Sequence, residues 1–343
     1  MAQNKRNPPR LSRPLRPGDK VAVVAPAGPV DPVALERGLA QLTAWGLQPV
    51  LGEAVHLQRG YLAGPDHLRA ADLNRFLTDT SVAAILCARG GYGSLRILPL
   101  IDWAAARQHP KLLVGFSDIT ALHLAFWREA GWRTLHGPMV EIHDPSGRMP
   151  AYNARNLHAA LFGRAFPGVI PWPDPSEAPD APTPLTIVPG QAEGRLLGGN
   201  LEVMTRLIGT PWQPDFRGAI LVLEDVDEAP YRIDRMLVQL KLAGLLAGVA
   251  GVLFGHSPTC EEASNGRPSL TLPEILHELL APLAIPVLYG FPCGHSRYRA
   301  TLPLGTLARL DSESATLTVL EPAVEAPTEA PTEDPIDGSN RRR

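Results

Sequence analysis

The apolar run Leu112–Phe116 stops at Ser117-Asp118, and a helical pattern from Ile119 to Trp127 begins at once. A serine at such a strand-to-helix elbow holds its hydroxyl clear of the backbone. The amide after it lies at a helix N-terminus, where it can stabilise an oxyanion. Gly115 gives the turn room. Ser117 or Asp118 equally suits a helix cap, the commonest use of these residue types at a helix start. Ile119 stands where the second glycine of G-x-S-x-G would be, which disfavours an ordinary α/β-hydrolase.

Three further groups carry residue types suited to the same chemistry. The loop Arg89-Gly90-Gly91-Tyr92-Gly93 follows an apolar run, and its glycines let backbone amides approach a substrate closely as oxyanion donors. It has neither the G-K-[ST] ending of a phosphate loop nor G-x-G-x-x-G spacing, and a plain tight turn is its simpler use. Glu224 ends the run AILVLE, with Asp225, Asp227 and Glu228 close behind. An acid leaving a buried strand can orient a histidine, sit in a solvated loop or hold a metal. No histidine lies at i+3 or i+4, and Gly255-His256 and Gly294-His295 fit no zinc spacing, which disfavours the metal reading. His295 falls just beyond the run Ile285–Tyr289, with His136 and His256 as competitors. Cys293 offers a rival thiol nucleophile, although free cysteines are more often small core residues.

Alternating strands and helices must position these groups. Lys20–Pro26 reads as a buried parallel strand, followed by a helix capped by Asp31 with Pro32 in its first turn and Val33, Leu39 and Leu42 on one face. Asp66 caps a second helix through Phe76, and Val82–Cys87 and Leu112–Phe116 read as further buried strands. That pattern predicts an α/β domain with a mostly parallel sheet and its sites at the carboxyl ends of strands. Proline-rich sequence from about Pro145 to Gly190 predicts a linker. Beyond it, Ala219–Glu224, a helix around Ile233–Leu246 and Val249–Gly255 form another β-α-β pattern, and Leu302–Leu310 with Ala315–Leu320 suggests a closing hairpin. The predicted division is a flexible extension over 1–16, a nucleophile domain over 17–145, a linker over 146–190, a second domain over 191–321 and a disordered tail over 322–343.

A chain of 343 residues favours two domains with a cleft between them. A net charge of −3 provides no excess of cations for a phosphate backbone, so nucleic acid is not an expected partner. No apolar stretch approaches membrane-spanning length or forms a signal-peptide core, which predicts a cytoplasmic protein without a membrane partner. Three scattered cysteines do not make a disulfide framework.

Taken together, the motifs Arg89–Gly93, Gly115-Phe116-Ser117-Asp118, His136-Gly137-Pro138, Gly194–Asn200, Leu223-Glu224-Asp225, Tyr231–Arg235 and Gly294-His295 closely resemble the LD-carboxypeptidases and the related microcin-self-immunity peptidases. The resemblance runs from about Gly18 to Leu310. It implies a flavodoxin-like or Rossmann-like N-terminal domain carrying a nucleophile at Ser117, and a C-terminal mixed α/β, barrel-like domain carrying Glu224 and His295. It further implies a serine carboxypeptidase that needs no metal or organic cofactor, removes the terminal D-alanine of murein tetrapeptide through an acyl-enzyme, works in peptidoglycan recycling and forms a homodimer. The amides of Asp118 and Gly91 would form the oxyanion hole. An exopeptidase also needs a group for the free carboxylate, and Arg89, Tyr92, Arg232 and Arg235 are the candidate substrate contacts, with surface or interdomain ion pairs as the alternative use of the arginines. The rival within the family is cleavage of an aminoacyl- or peptidyl-nucleotide, with Trp172 as a platform for the base. A non-catalytic peptide-binding protein is the rival outside it.

Overall fold

The computed structural model describes residues 10–261 and 268–325. Its first sheet is built by β1 (Lys20–Val24), α1 (Pro32–Ala44), β2 (Gln48–Leu51), α2 (Asp66–Thr78), β3 (Val82–Cys87), α3 (Ser94–Ile97), α4 (Trp103–Gln108), β4 (Leu112–Gly115), α5 (Thr120–Ala130) and β5 (Thr134–His136). Strands β1, β3 and β4 are buried almost throughout because helices cover both faces of the sheet, which is why they read as unbroken apolar runs. The order β5-β4-β3-β1-β2 is the flavodoxin-like one, with its switch point between β1 and β3. The glycine loop leaves β3 at that point, and Ser117 follows β4 on the same edge.

Helix α1 is capped by the Asp31 carboxylate, which accepts hydrogen bonds from the Val33 and Ala34 amides at 2.8 and 2.9 Å. Its buried face is Ala34, Leu35, Gly38 and Leu42, whereas Val33, expected inside, is exposed. An added Cβ on Gly38 would lie 1.7 Å from the Val140 carbonyl oxygen, so the helix packs on the chain through the one residue without a side chain.

The second sheet collects β6 (Gly168–Val169), β7 (Leu185–Val188), β8 (Gln191–Asn200), β9 (Ala219–Glu224), β10 (Gly251–Gly255) and β11 (Val287–Phe291), together with β13 (Leu307–Asp311) and β14 (Thr316–Val319). Helices α7 (Leu201–Thr205), α8 (Pro230–Leu242) and α9 (Leu272–Leu280) accompany it, whereas α6 (Ala151–Leu161) packs Leu157 and Leu161 into the apolar cluster of the first sheet. Its order is β6-β14-β13-β8-β9-β10-β11-β7, parallel from β8 to β11 and antiparallel outside them. The sheet is mixed, and its outer strands β6 and β7 are not neighbours, so it is not closed into a barrel.

Several expected boundaries shift. Leu302–Leu304 forms β12, which pairs antiparallel with β5 and adds a sixth strand to the first sheet, so only β13 and β14 make the hairpin. The proline-rich linker contains α6, whose Tyr152 and Leu157 are buried, and two strands of the second sheet. Residues 10–16 were expected to be flexible, but Leu15 is buried and Arg10 forms a bridge with Trp132. Ala323 and Val324, expected in the disordered tail, are buried in the same apolar cluster as Leu15. These segments gain order by covering apolar surface on the first domain. The rest of the expected tail, from 326 on, and residues 1–9 lie outside the described residues.

Candidate active site

Ser117 has φ +63°, a left-handed conformation that costs a residue with a Cβ about 1–2 kcal/mol. Gly115 and Gly90 make this conformation possible. A Cβ on Gly115 would meet the Ile119 side chain at 2.8 Å, and one on Gly90 would lie 2.9 Å from Ser117 Cβ and 3.1 Å from its Oγ. Neither Ser117 nor Asp118 caps α5 with its side chain. Asp118 instead turns back to the glycine loop. Its carboxylate accepts the Ser94 amide at 2.8 Å, and the Ser94 hydroxyl donates to its carbonyl at 2.5 Å. Burial raises the Asp118 carboxyl above the usual carboxylate range, with the Ser94 bonds opposing it.

The loop itself is oriented by the Gly28 amide, which donates to the Gly90 carbonyl at 3.0 Å. In a trans peptide the N–H points opposite to the C=O. The Gly91 amide therefore faces away from Gly28, and Gly91 takes φ +106°, which glycine adopts without strain.

Glu224 closes β9 and has no solvent exposure. His295 lies after β11, where the Gly294 turn has φ +73° and a Cβ on Gly294 would be 2.3 Å from Glu224 Oε2. Glu224 Oε2 accepts from the His295 amide at 3.2 Å and meets its Nδ1 at 2.6 Å, while His295 Nε2 lies 3.1 Å from Ser117 Oγ. Burial alone would raise the Glu224 carboxyl, but the charge and hydrogen bonds of His295, with a contribution from His136, bring it below its ordinary value. Its neighbour Asp225 is pushed up to about 7 by burial and by Glu224. A buried, ionised acid behind an imidazole that touches a strained serine can generate a nucleophilic alkoxide and return the proton to a leaving group.

These residues open onto a cleft of about 570 Å³ between the two sheets, lined by Arg89, Gly90, Gly91, Phe116, Ser117, Glu141, Asn153, His295, Arg297 and Arg299 among others. Arg89 is present but engaged, donating to the Pro29 carbonyl at 3.0 Å with Glu141 4.0 Å away. The other candidate contacts are placed elsewhere. Tyr92 is 49% exposed and packs edge-on against Tyr61, and Arg232 is exposed on α8, paired with Glu228 at 3.2 Å. Arg235 lies on the same helix over the Tyr231 ring. Both guanidiniums lie over the Tyr231 ring, and neither lines the cleft. Trp172 donates to the Ala315 carbonyl at 2.8 Å, packs against Phe291 and does not line the cleft.

Among the histidines, His136 is fully buried behind Phe116, and burial holds its pKa down. His256 is likewise lowered by burial and does not line the cleft. Cys293 is buried, and burial and Glu224 push its thiol far up, opposite to what a thiolate nucleophile needs. Among the described residues no group of three or more His, Cys, Asp or Glu is placed to hold a metal ion, and no helix is long and apolar enough to cross a membrane. Sequence reasoning missed Arg297 and Arg299, which sit in the run Ser296–Ala300 directly after His295. That adjacency was the signal available for finding them.

Residues 21–137 match the model of the LD-carboxypeptidase N-terminal domain, and residues 193–310 match that of the C-terminal domain. The chain belongs to the LD-carboxypeptidase family. A relative from Bacillus subtilis named "probable murein peptide carboxypeptidase" is 40% identical, across 89% of this chain and 92% of its own. A murein tetrapeptide carboxypeptidase from Pseudomonas aeruginosa is 31% identical, across 85% of this chain and 93% of its own. The solved structure of MccF in complex with glutamyl sulfamoyl guanosine is similar with a TM-score of 0.82 at 26% identity, covering 92% of this chain and all of that one. The LD-carboxypeptidase assignment makes this protein a serine-type carboxypeptidase, and each family domain brings one side of the cleft, Ser117 from the first and Glu224 and His295 from the second.

Proposed function

We propose that the protein releases the terminal D-alanine of murein tetrapeptide by hydrolysing its L,D-amide bond through an acyl-enzyme on Ser117. The hydrogen-bond chain from Glu224 through His295 to Ser117 carries this reading. The Ser117 oxygen attacks the amide carbonyl as its proton passes to His295 Nε2, and Glu224 stabilises the imidazolium. The tetrahedral oxyanion lies against the amides of Asp118 and Gly91. Collapse breaks the C–N bond as His295 protonates the leaving nitrogen, and water, deprotonated by His295, then releases the acyl group. Loss of one oxyanion donor costs about a hundredfold or more in such sites.

The murein substrate is supported by the 40% identity to the Bacillus subtilis relative. The likeness to MccF favours a second reading, in which the acyl group is joined to a nucleotide-like moiety. The position of Trp172 argues against it, because that ring is held by Ala315 and Phe291 rather than presented to the cleft. Cytoplasmic peptidoglycan recycling as a homodimer belongs to the same reading, and fractionation and sedimentation check those parts.

Purified protein incubated with murein tetrapeptide, pentapeptide and a glutamyl sulfamoyl nucleoside decides between the readings. D-Alanine release from the tetrapeptide alone is the expected result. Cleavage of only the nucleoside conjugate would overturn it.

A further inference from the structure

Arg299 differs from the other cations of the cleft in having no anion of its own. Arg297 is paired with Asp180 at 2.8 Å, and Arg89 is engaged by Pro29 and Glu141. Arg299 is half-buried and lines the cleft. Its Nε donates to the Gly294 carbonyl at 2.9 Å and its guanidinium lies over the Phe116 ring at 4.9 Å. Among the described residues no carboxylate comes within ion-pair distance of it, and its terminal nitrogens have no hydrogen-bond partner. Burial lowers its pKa, and the carboxylate that favours its charge, Glu224, is already bound to His295. A half-buried guanidinium without an anion keeps its terminal donors open to the cleft, and its planar fork matches a carboxylate.

Its location fixes which carboxylate it would meet. Arg299 is anchored on the residue before His295, and the His295 ring packs against the same Phe116 at 5.0 Å. His295 must protonate the leaving nitrogen, and in a carboxypeptidase substrate that nitrogen is separated from the terminal carboxylate by a single α-carbon. The carboxylate must therefore lie beside His295, where Arg299 is.

We infer that Arg299 binds the free C-terminal carboxylate of the substrate and is the residue that confines this enzyme to chain ends. The inference rests on the proposed murein reading.

The test compares tetrapeptide ending in D-alanine with the same peptide ending in D-alaninamide, using wild type, Arg299→Ala and Arg299→Lys. Wild type should prefer the free acid by on the order of a hundredfold in kcat/KM, the scale of a charged hydrogen-bonded pair. Arg299→Ala should bring that ratio close to one, and Arg299→Lys should restore part of it. Equal losses on both substrates would mean that Arg299 only supports the Gly294 turn, and would overturn the inference while leaving the murein reading intact. Calorimetric binding of both peptides to Ser117→Ala, with and without Arg299→Ala, repeats the comparison without turnover. Failure of wild type to cleave and of Ser117→Ala to bind either peptide would overturn the murein reading and the Arg299 assignment together.

Discussion

His295 Nε2 and Ser117 Oγ meet at 3.1 Å although they lie 178 positions apart and follow strands of different sheets. The contact depends on two turns that carry strain or tight packing. Ser117 has a left-handed backbone, and Gly294 sits where no side chain would fit beside Glu224. The site is therefore maintained by the interface between the two domains as much as by either fold.

The strain at Ser117 predicts a trade between stability and activity. Ser117→Gly should abolish D-alanine release and raise stability by about 1 kcal/mol, because glycine adopts positive φ freely. Ser117→Ala should lose activity without that gain. Denaturant melts of the two variants check this, and equal stabilities would show that the turn is not strained.

Glu224→Gln should leave the protein folded, since the amide is nearly isosteric, and lower kcat on the order of 10⁴-fold by failing to hold the imidazolium. Circular dichroism with steady-state assays separates the two effects. Near-normal turnover would remove Glu224 from the mechanism.

Asp225 gives a pH signature. Its ordinary value is 3.8, and in the folded protein it is pushed up to about 7 by burial and Glu224. An acid whose pKa rises on folding takes up protons on folding. Its contribution is greatest below the unfolded value and is lost as pH rises through the folded one. Wild-type stability should therefore carry a declining component between about pH 4 and 7 that is absent from Asp225→Asn. Thermal melts across that range test it, and parallel profiles for the two proteins would refute it.

Gly90→Ala places a methyl group 2.9 Å from Ser117 Cβ. Activity should fall about tenfold or more through misplacement of the nucleophile, with a modest change in melting temperature. Unchanged kcat would mean that the loop yields without disturbing the elbow.

Gly199→Ala acts at the contact between domains. Its Cβ would lie 2.4 Å from Thr120 Oγ1, the atom that accepts the Asn200 amide at 2.9 Å. Stability should fall by about 1–3 kcal/mol as the contact is overpacked, and activity should fall with it as His295 is moved off Ser117. Retained activity with full stability would show that the interface has slack.

Where buried parallel strands end in a functional residue, the sequence was informative. Leu112–Gly115 before Ser117 and AILVLE up to Glu224 are apolar because both faces are covered, so the first polar residue after each marks a sheet edge where sites form. The substrate contacts were not legible in that way. Arg232 sits in a conspicuous charged motif, yet a helix surface disposes of its charge locally through Glu228. Arg299 looks like one basic residue among several after His295, and only the folded chain reveals that the others have partners. Edge strands were also hidden. Leu302–Leu304 is too short to declare which sheet it joins, since that is settled by pairing with a strand 166 residues earlier, Leu302 opposite His136.

That short strand has a consequence for how the protein can be built or dismantled. Because Leu302–Leu304, which follow the second domain's strands β8–β11, complete the first sheet, the two domains are interlocked rather than strung in tandem. A ribosome must pass Leu302–Leu304 before the nucleophile domain has its full complement of strands, so a stop ahead of that segment leaves its sheet one strand short. Chimeras that exchange the first domain between relatives would have to carry Leu302–Leu304 with it, a graft in two pieces instead of one.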